Sequence, residues 1–250
     1  MKLSELLAHI TGPMLDDRAV LISGTNDQLF ADATVVRYLN EAEKKLCRDA
    51  WVLEDFSPNN PTVTEIQLVE DTSLYPLHKS ILHVKAARLD DTEVDLVRVG
   101  YDDNRLTPGW GHMDFDVWDI NVSMQENPGR PQRYSVDMGT RTMRIRRKPD
   151  AAAALLKVLL NVVRMPLVAL DVSLPDNTPE VPEEHHLELA QYAAGMCLAN
   201  TADIDAELRS LGTRWVREFN ERCEAAKRDR ERRQQSAPQF RFGAWGRGSE

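Results

Sequence analysis

Apolar residues recur at two different periods along this chain, and the change of period divides it. Val35, Leu39, Ala42 and Leu46 share one stripe of a 3.6-residue repeat, while Arg37, Glu41, Lys44, Lys45 and Arg48 fall mostly off it. That pattern predicts an amphipathic helix from about Asp32 to Ala50, with Asp32 as the expected N-cap. A shorter helix is expected from Leu3 to Ile10, stopping at Gly12-Pro13, and a linker rich in Asp, Ser, Gly and Asn follows it. The cluster Ser57-Pro58-Asn59-Asn60-Pro61 then ends the helical pattern.

From Thr62 to about Val172 the period falls to two in several places. Val63, Glu65, Gln67 and Val69 alternate around Ile66 and Leu68, and Phe115-Asp116-Val117-Trp118 does the same. Segments Ile81 to Leu89, Val94 to Val99, Gln132 to Asp137, Arg141 to Arg146 and Ala154 to Val163 are further strand candidates. Turn signals separate them: Asp90-Asp91, Asp102-Asp103-Asn104, Pro108-Gly109, Asn127-Pro128-Gly129 and Pro149-Asp150. A small antiparallel sandwich or barrel is the expected outcome. Ala151 to Val163 is helical on propensity alone; its continuous apolar character and its flanks, Pro149 and Pro166, favour strand.

Helix returns after Pro175 and Pro179, with Pro182 suited to a first turn and Glu183 and Glu184 placed where the macrodipole favours carboxylates. Leu189, Ala193 and Met196 share one face, and Leu187, Ala190, Ala194 and Cys197 a neighbouring one, so this helix is expected to be mostly buried. After a break at Asn200-Thr201-Ala202-Asp203, Leu208, Leu211, Trp215 and Phe219 repeat at helical spacing. The helix turns wholly polar from Lys227 to Gln235, which keeps its far end out of that core. The expected fold is therefore α+β. Residues 1–58 and 178–235 form a helical bundle, residues 62–173 a large antiparallel β insertion, and residues 236–250 an extended tail.

Composition narrows the function. With 250 residues, 42% of them hydrophobic, the chain can bury a sizeable core. No run approaches the roughly 18 apolar residues of a membrane span, and Met1-Lys2-Leu3-Ser4-Glu5-Leu6-Leu7 lacks a signal peptide's apolar stretch. The protein is expected to act, without contacting a membrane, in the compartment where it is made. Cys47, Cys197 and Cys223 lie far apart inside apolar-periodic segments and are expected to be reduced core thiols. The net charge of nine negative argues against a general nucleic-acid coat. The segment from Lys227 to Glu250 is nevertheless four positive, leaving the rest of the chain thirteen negative.

Motifs for catalysis are sparse. Glu183-Glu184-His185-His186-Leu187-Glu188 sets carboxylates and imidazoles one turn apart, as a metal site would, but contains neither H-E-x-x-H nor H-x-x-E-H; residues of a helix start account for it. Gly109-Trp110-Gly111 lacks the third glycine of a phosphate loop. Asp91-Thr92-Glu93-Val94-Asp95 resembles the opening of a calcium loop, but Leu96 replaces the turn glycine and Asp102 the final glutamate. No G-x-S-x-G occurs. No enzymatic activity, metal or cofactor is expected.

The tail is the most unusual segment, interleaving Phe240, Phe242 and Trp245 with Arg241 and Arg247 among glycines. Burying each aromatic in a partner would contribute roughly 1.5–3 kcal/mol, and these residue types dominate interface hot spots. Three readings stand: a peptide that docks into another protein, a single-strand nucleic-acid stacker, and a tail folded back on its own domain.

A set of segments in order resembles the head-to-tail adaptor, or connector, family of tailed phages. They are Phe30-Ala31-Asp32 leading into Val36-Arg37-Tyr38-Leu39-Asn40-Glu41-Ala42, Leu74-Tyr75-Pro76-Leu77, Met143-Arg144-Ile145-Arg146-Arg147-Lys148-Pro149-Asp150, and Val181-Pro182-Glu183-Glu184-His185-His186. The resemblance implies a virion structural protein of the neck, assembled in the host cytoplasm. It implies a homo-oligomeric ring of twelve copies beneath the portal protein and above tail or nozzle proteins, continuing a channel for double-stranded DNA. It also implies that the C-terminal segment reaches the portal, which makes Phe240, Arg241, Phe242, Trp245 and Arg247 the expected docking residues. The β region is larger than in the smallest members, and a tail protein, a neighbouring subunit or solvent are all candidates to face it. The competing readings are a nucleic-acid-binding protein using the basic helix end from Lys227 to Arg233, and a hydrolase with scattered catalytic residues.

Overall fold

The computed structural model describes residues 1–15, 30–56, 59–92, 95–98, 128–201 and 204–236. Helix α1 (Leu3–His9) runs into a single π turn, Ile10–Met14, that contains Gly12 and Pro13. Helix α2 spans Asp32–Ala50, and its stripe Val35, Leu39, Ala42 and Leu46 is buried, as the periodicity predicts. Ala31, not Asp32, is its N-cap; Asp32 is the first helical residue, where its charge still favours the macrodipole. Trp51 ends α2 in the left-handed region at φ 58°, and its ring stacks on His83 at 4.6 Å.

The β region begins earlier than the expected boundary. Strand β1 (Glu54–Phe56) precedes the proline cluster, and Pro61–Thr64 form a helical turn, α3, where alternation predicts a strand. Pro61 at the first position presets that turn's φ. The remaining strands are β2 (Glu65–Gln67), β3 (Leu74–Pro76), β4 (Ile81–Leu89), β5 (Val97–Arg98), β6 (Arg133–Asp137), β7 (Thr142–Arg146) and β8 (Lys157–Arg164). The stretch from Ala151 divides: Ala153–Leu155 make a 3-10 turn, and β8 follows.

Strand β8 is central to one sheet. Strand β4 pairs along one side of it, while β1 and β2 pair end to end along the other, all antiparallel. The second sheet has the order β3-β7-β6-β5. Its β5–β6 pair is parallel, a departure from the all-antiparallel expectation. Alternate residues of both sheets, among them Val84, Ala87, Tyr134, Met143, Val158, Leu160 and Val162, meet in one apolar cluster. Phe115 to Trp118 and Gly109 to Gly111 lie outside the described residues.

A second apolar cluster belongs to the helices. Helix α4 (His186–Asn200) follows a 3-10 turn at Glu183–His185, and helix α5 (Ala206–Ser236) runs back along it. Leu189, Ala190, Ala193, Ala194 and Cys197 of α4 pack with Leu3, Leu6, Leu39, Phe219 and Cys223. Leu187 departs from its expected face and is 54% exposed. Gly195 and Gly212 set the closeness of α4 and α5: a Cβ built on Gly212 would lie 2.8 Å from the Gly195 carbonyl oxygen and 2.6 Å from Leu198 Cβ. No helix among the described residues is long and apolar enough to cross a membrane.

Candidate functional site

The last strand leads not into a helix but into an irregular strap, residues 165–182, that crosses the outside of α2. Strand β8 must hand its backbone over to this strap, and a buried arginine at its end makes the handover. Arg164 Nε donates to Asp55 on β1 at 2.7 Å, and Nη1 donates to Glu180 at 2.6 Å and to the Met165 carbonyl at 3.1 Å. Burial opposes the guanidinium charge, but the bonds from Glu180 and Asp55 outweigh it and hold its pKa above the ordinary value. A charge left alone there would cost several kcal/mol, so the three groups act as a set.

Helix α2 holds the strap from beneath. The Asn40 side-chain amide bonds the Leu170 backbone in both directions, donating at 2.9 Å and accepting at 2.8 Å. Glu43, 1% exposed, accepts the backbone N–H groups of Glu180 and Val181 at 2.7 and 3.4 Å. Burial pushes its carboxyl up to about 7, against the pull of those two bonds. Glu180 in turn accepts the N–H groups of Leu167 and Val168 at 2.6 and 2.8 Å. Periodicity reads Asn40 and Glu43 as polar off-stripe residues, and their role is visible only once the strap lies over them.

Between strap and helix runs a groove of about 540 Å³, lined by α2 residues from Ala33 to Lys44 and by Ala169 to Val172. Val172 of its lining is 40% exposed, and elsewhere on the strap Leu167, Val168 and Leu174 are 38, 61 and 51% exposed. At the other end of the helical region, α5 outruns its partners. Among its described side chains Phe219 and Cys223 are the last that are buried, and Glu224, Lys227, Arg228, Asp229 and Arg232 are exposed. From Glu224 to Ser236 it extends about 20 Å at ~1.5 Å per residue, the polar stalk that the composition predicts. The expected docking residues Phe240, Arg241, Phe242, Trp245 and Arg247 lie outside the described residues.

The other candidate chemistry is placed as follows. His186 is buried, bonding the Val181 carbonyl at 3.0 Å, and burial lowers its pKa. His185 meets Glu188 at 3.1 Å, and Glu188 also takes Arg222 of α5 at 3.2 Å. Among the described residues no three His, Cys, Asp or Glu side chains are grouped to hold a metal ion. Asp91 pairs with Arg130 at 2.6 Å, whereas Glu93 and Val94 lie outside the described residues. All three cysteines are buried and outside any disulfide, with Cys47 pushed up to about 12 and Cys223 to about 11 by burial.

The comparisons with known proteins bear on the whole arrangement rather than on one pocket. Residues 1–241 match the family model described as SU10 adaptor protein. No curated protein matches the chain. The match runs from α1 through both sheets and the full length of α5 into the start of the tail, so this chain belongs to the SU10 adaptor family, a family of phage head-to-tail adaptor structural proteins.

Proposed function

We propose that this adaptor forms a ring of twelve copies in the virion neck, seated beneath the portal and above tail or nozzle proteins, with packaged double-stranded DNA passing through its centre. The carrying observation is the family match across residues 1–241, which covers both the helical core and the β region. A net-acidic chain suits such a channel, because it offers DNA no general attraction. The role is structural, without catalysis or cofactor.

Docking to the portal falls to the C-terminal segment. Helix α5 continues to Ser236, with Glu224, Lys227, Arg228, Asp229 and Arg232 exposed, and Phe240, Arg241, Phe242, Trp245 and Arg247 follow it in sequence. A few aromatic and arginine anchors carry most of such an interface. Deleting residues 237–250 should leave the melting temperature unchanged and abolish co-sedimentation with purified portal rings. Substituting Phe240, Phe242 and Trp245 together by Ala should do nearly the same. Unchanged portal binding by the truncated protein would overturn the docking role. Immunogold labelling that finds the protein anywhere but the neck would overturn the adaptor-ring reading itself.

A further inference from the structure

We infer that the strap, residues 165–182, opens as a unit while the helices and sheets stay folded, and that the buried Glu43 carboxyl is the latch that keeps it shut, in a single copy as much as in a ring.

The strap is held by bonds more than by burial. It contains no helix or strand, and of its eighteen residues only Leu170, Pro179 and Val181 are buried. Side chains grip its backbone instead: Asn40 at Leu170, Glu43 at Glu180 and Val181, Glu180 at Leu167 and Val168, and His186 at the Val181 carbonyl. Segments with few buried apolar contacts open locally, at less free energy than global unfolding takes. The elements around it differ. Leu3 and Leu6 of α1, Val35, Leu39 and Ala42 of α2, and Val158, Val162 and Val163 of β8 are all 0% exposed, so they stay packed when the strap lifts.

Ionisation of Glu43 is unfavourable while the strap is shut. Both strap N–H groups go to one oxygen, Oε1, a geometry that a neutral carboxyl keeps with its carbonyl oxygen. Lys44 and Cys47 lie beside it on its own helix, Glu180 on the strap and Arg164 at the end of β8, and His186 of α4 reaches the same stretch through Val181. Arg164 already faces two carboxylates, Asp55 and Glu180, so a charge on Glu43 would stand unbalanced next to Glu180. Lys44 is exposed, where solvent screens it. Burial, with Glu180 adding to it, lifts the Glu43 carboxyl to about 7 despite its two N–H bonds.

Once the strap is open, Glu43 meets water and titrates as an ordinary glutamate near 4.5. The closed strap therefore keeps a proton that the open one gives up. Its stability from this group is full below about pH 4.5 and is lost as pH rises through 7. His186 acts in the opposite sense, because burial lowers its pKa, and so it does not produce this loss. A partner that grips the closed strap binds more weakly above neutral pH for the same reason.

Hydrogen exchange of the full-length protein, followed by mass spectrometry, reads the opening directly. Peptides from residues 165–182 should exchange well before those of α2 and β8. Divided by the intrinsic rate at each pH, their exchange should rise by roughly 50-fold from pH 5 to pH 8. Glu43→Gln should remove that rise and leave the α2 and β8 peptides protected. Asn40→Ala cuts the two bonds to Leu170 without touching Glu43; it should speed strap exchange at every pH and keep the rise. Strap exchange no faster than that of α2 and β8 would overturn the opening. An undiminished rise in Glu43→Gln, or its loss in Asn40→Ala, would overturn the latch.

Discussion

Glu43 faces backbone N–H groups from a position that water does not reach, and its charge is costly for that reason. Its folded-state pKa of about 7 lies above the 4.5 of an ordinary glutamate, so the native protein binds more protons than the unfolded chain between those values. Stability from this group is therefore fully present below about pH 4.5 and is lost as pH rises through 7. Glu43→Gln keeps the side-chain carbonyl as an acceptor and removes the titration. Chemical denaturation of the variant should show a flatter pH profile, with stability above the parent's at pH 8 by as much as about 3 kcal/mol and close to it at pH 5. A profile as steep as the parent's would place the titration elsewhere. Nothing in the spacing of Glu43 separates it from solvated neighbours such as Glu41 and Lys44. Its burial comes from a segment more than 130 residues away along the chain.

At the scale of elements, the α4–α5 pair depends on two glycines that no periodicity singles out. An exposed mid-helix Gly→Ala change stabilises by about 1 kcal/mol. Here the added methyl of Gly212→Ala would meet backbone and Leu198 Cβ at under 3 Å, and that of Gly195→Ala the Gly212 carbonyl at 2.9 Å. Overpacking of this kind costs roughly 1–3 kcal/mol and outweighs the propensity gain. Both variants should melt below the parent in thermal scans followed by circular dichroism; a rise would mean that the helices separate at no cost. Strand β8 teaches a similar lesson. Its apolar run is legible, but the 3-10 turn before it follows from the Asp150 side chain, which accepts the Ala153 N–H at 2.8 Å. Propensity for helix and the pull of the sheet share that stretch between them.

For the whole molecule, helices and sheets bury separate apolar clusters, and the Arg164, Asp55 and Glu180 set joins the end of β8 to β1 and to the strap. Strand β1 completes the sheet around β8 and supplies Asp55, so a self-sufficient β fragment should start before it. Residues 52–166 expressed alone should be soluble and β-rich by circular dichroism. A fragment of residues 62–166, lacking β1, should unfold at lower denaturant because Arg164 loses its buried carboxylate. Strong helicity in the longer fragment, or equal stability of the two, would refute this division. The amphipathic stripe of α2, strand β4, the hairpin strands β6 and β7, the burial of α4 and the polar end of α5 follow from the sequence alone, because each is set by local periodicity acting over ten to thirty residues. The strap's course over α2, the burial of Glu43, the Arg164 set, the parallel β5–β6 pair and the glycine contact between α4 and α5 were decided by tertiary structure. Each joins residues distant in the chain, and a group's partner, exposure and charge cost depend on what folds against it rather than on its neighbours in sequence.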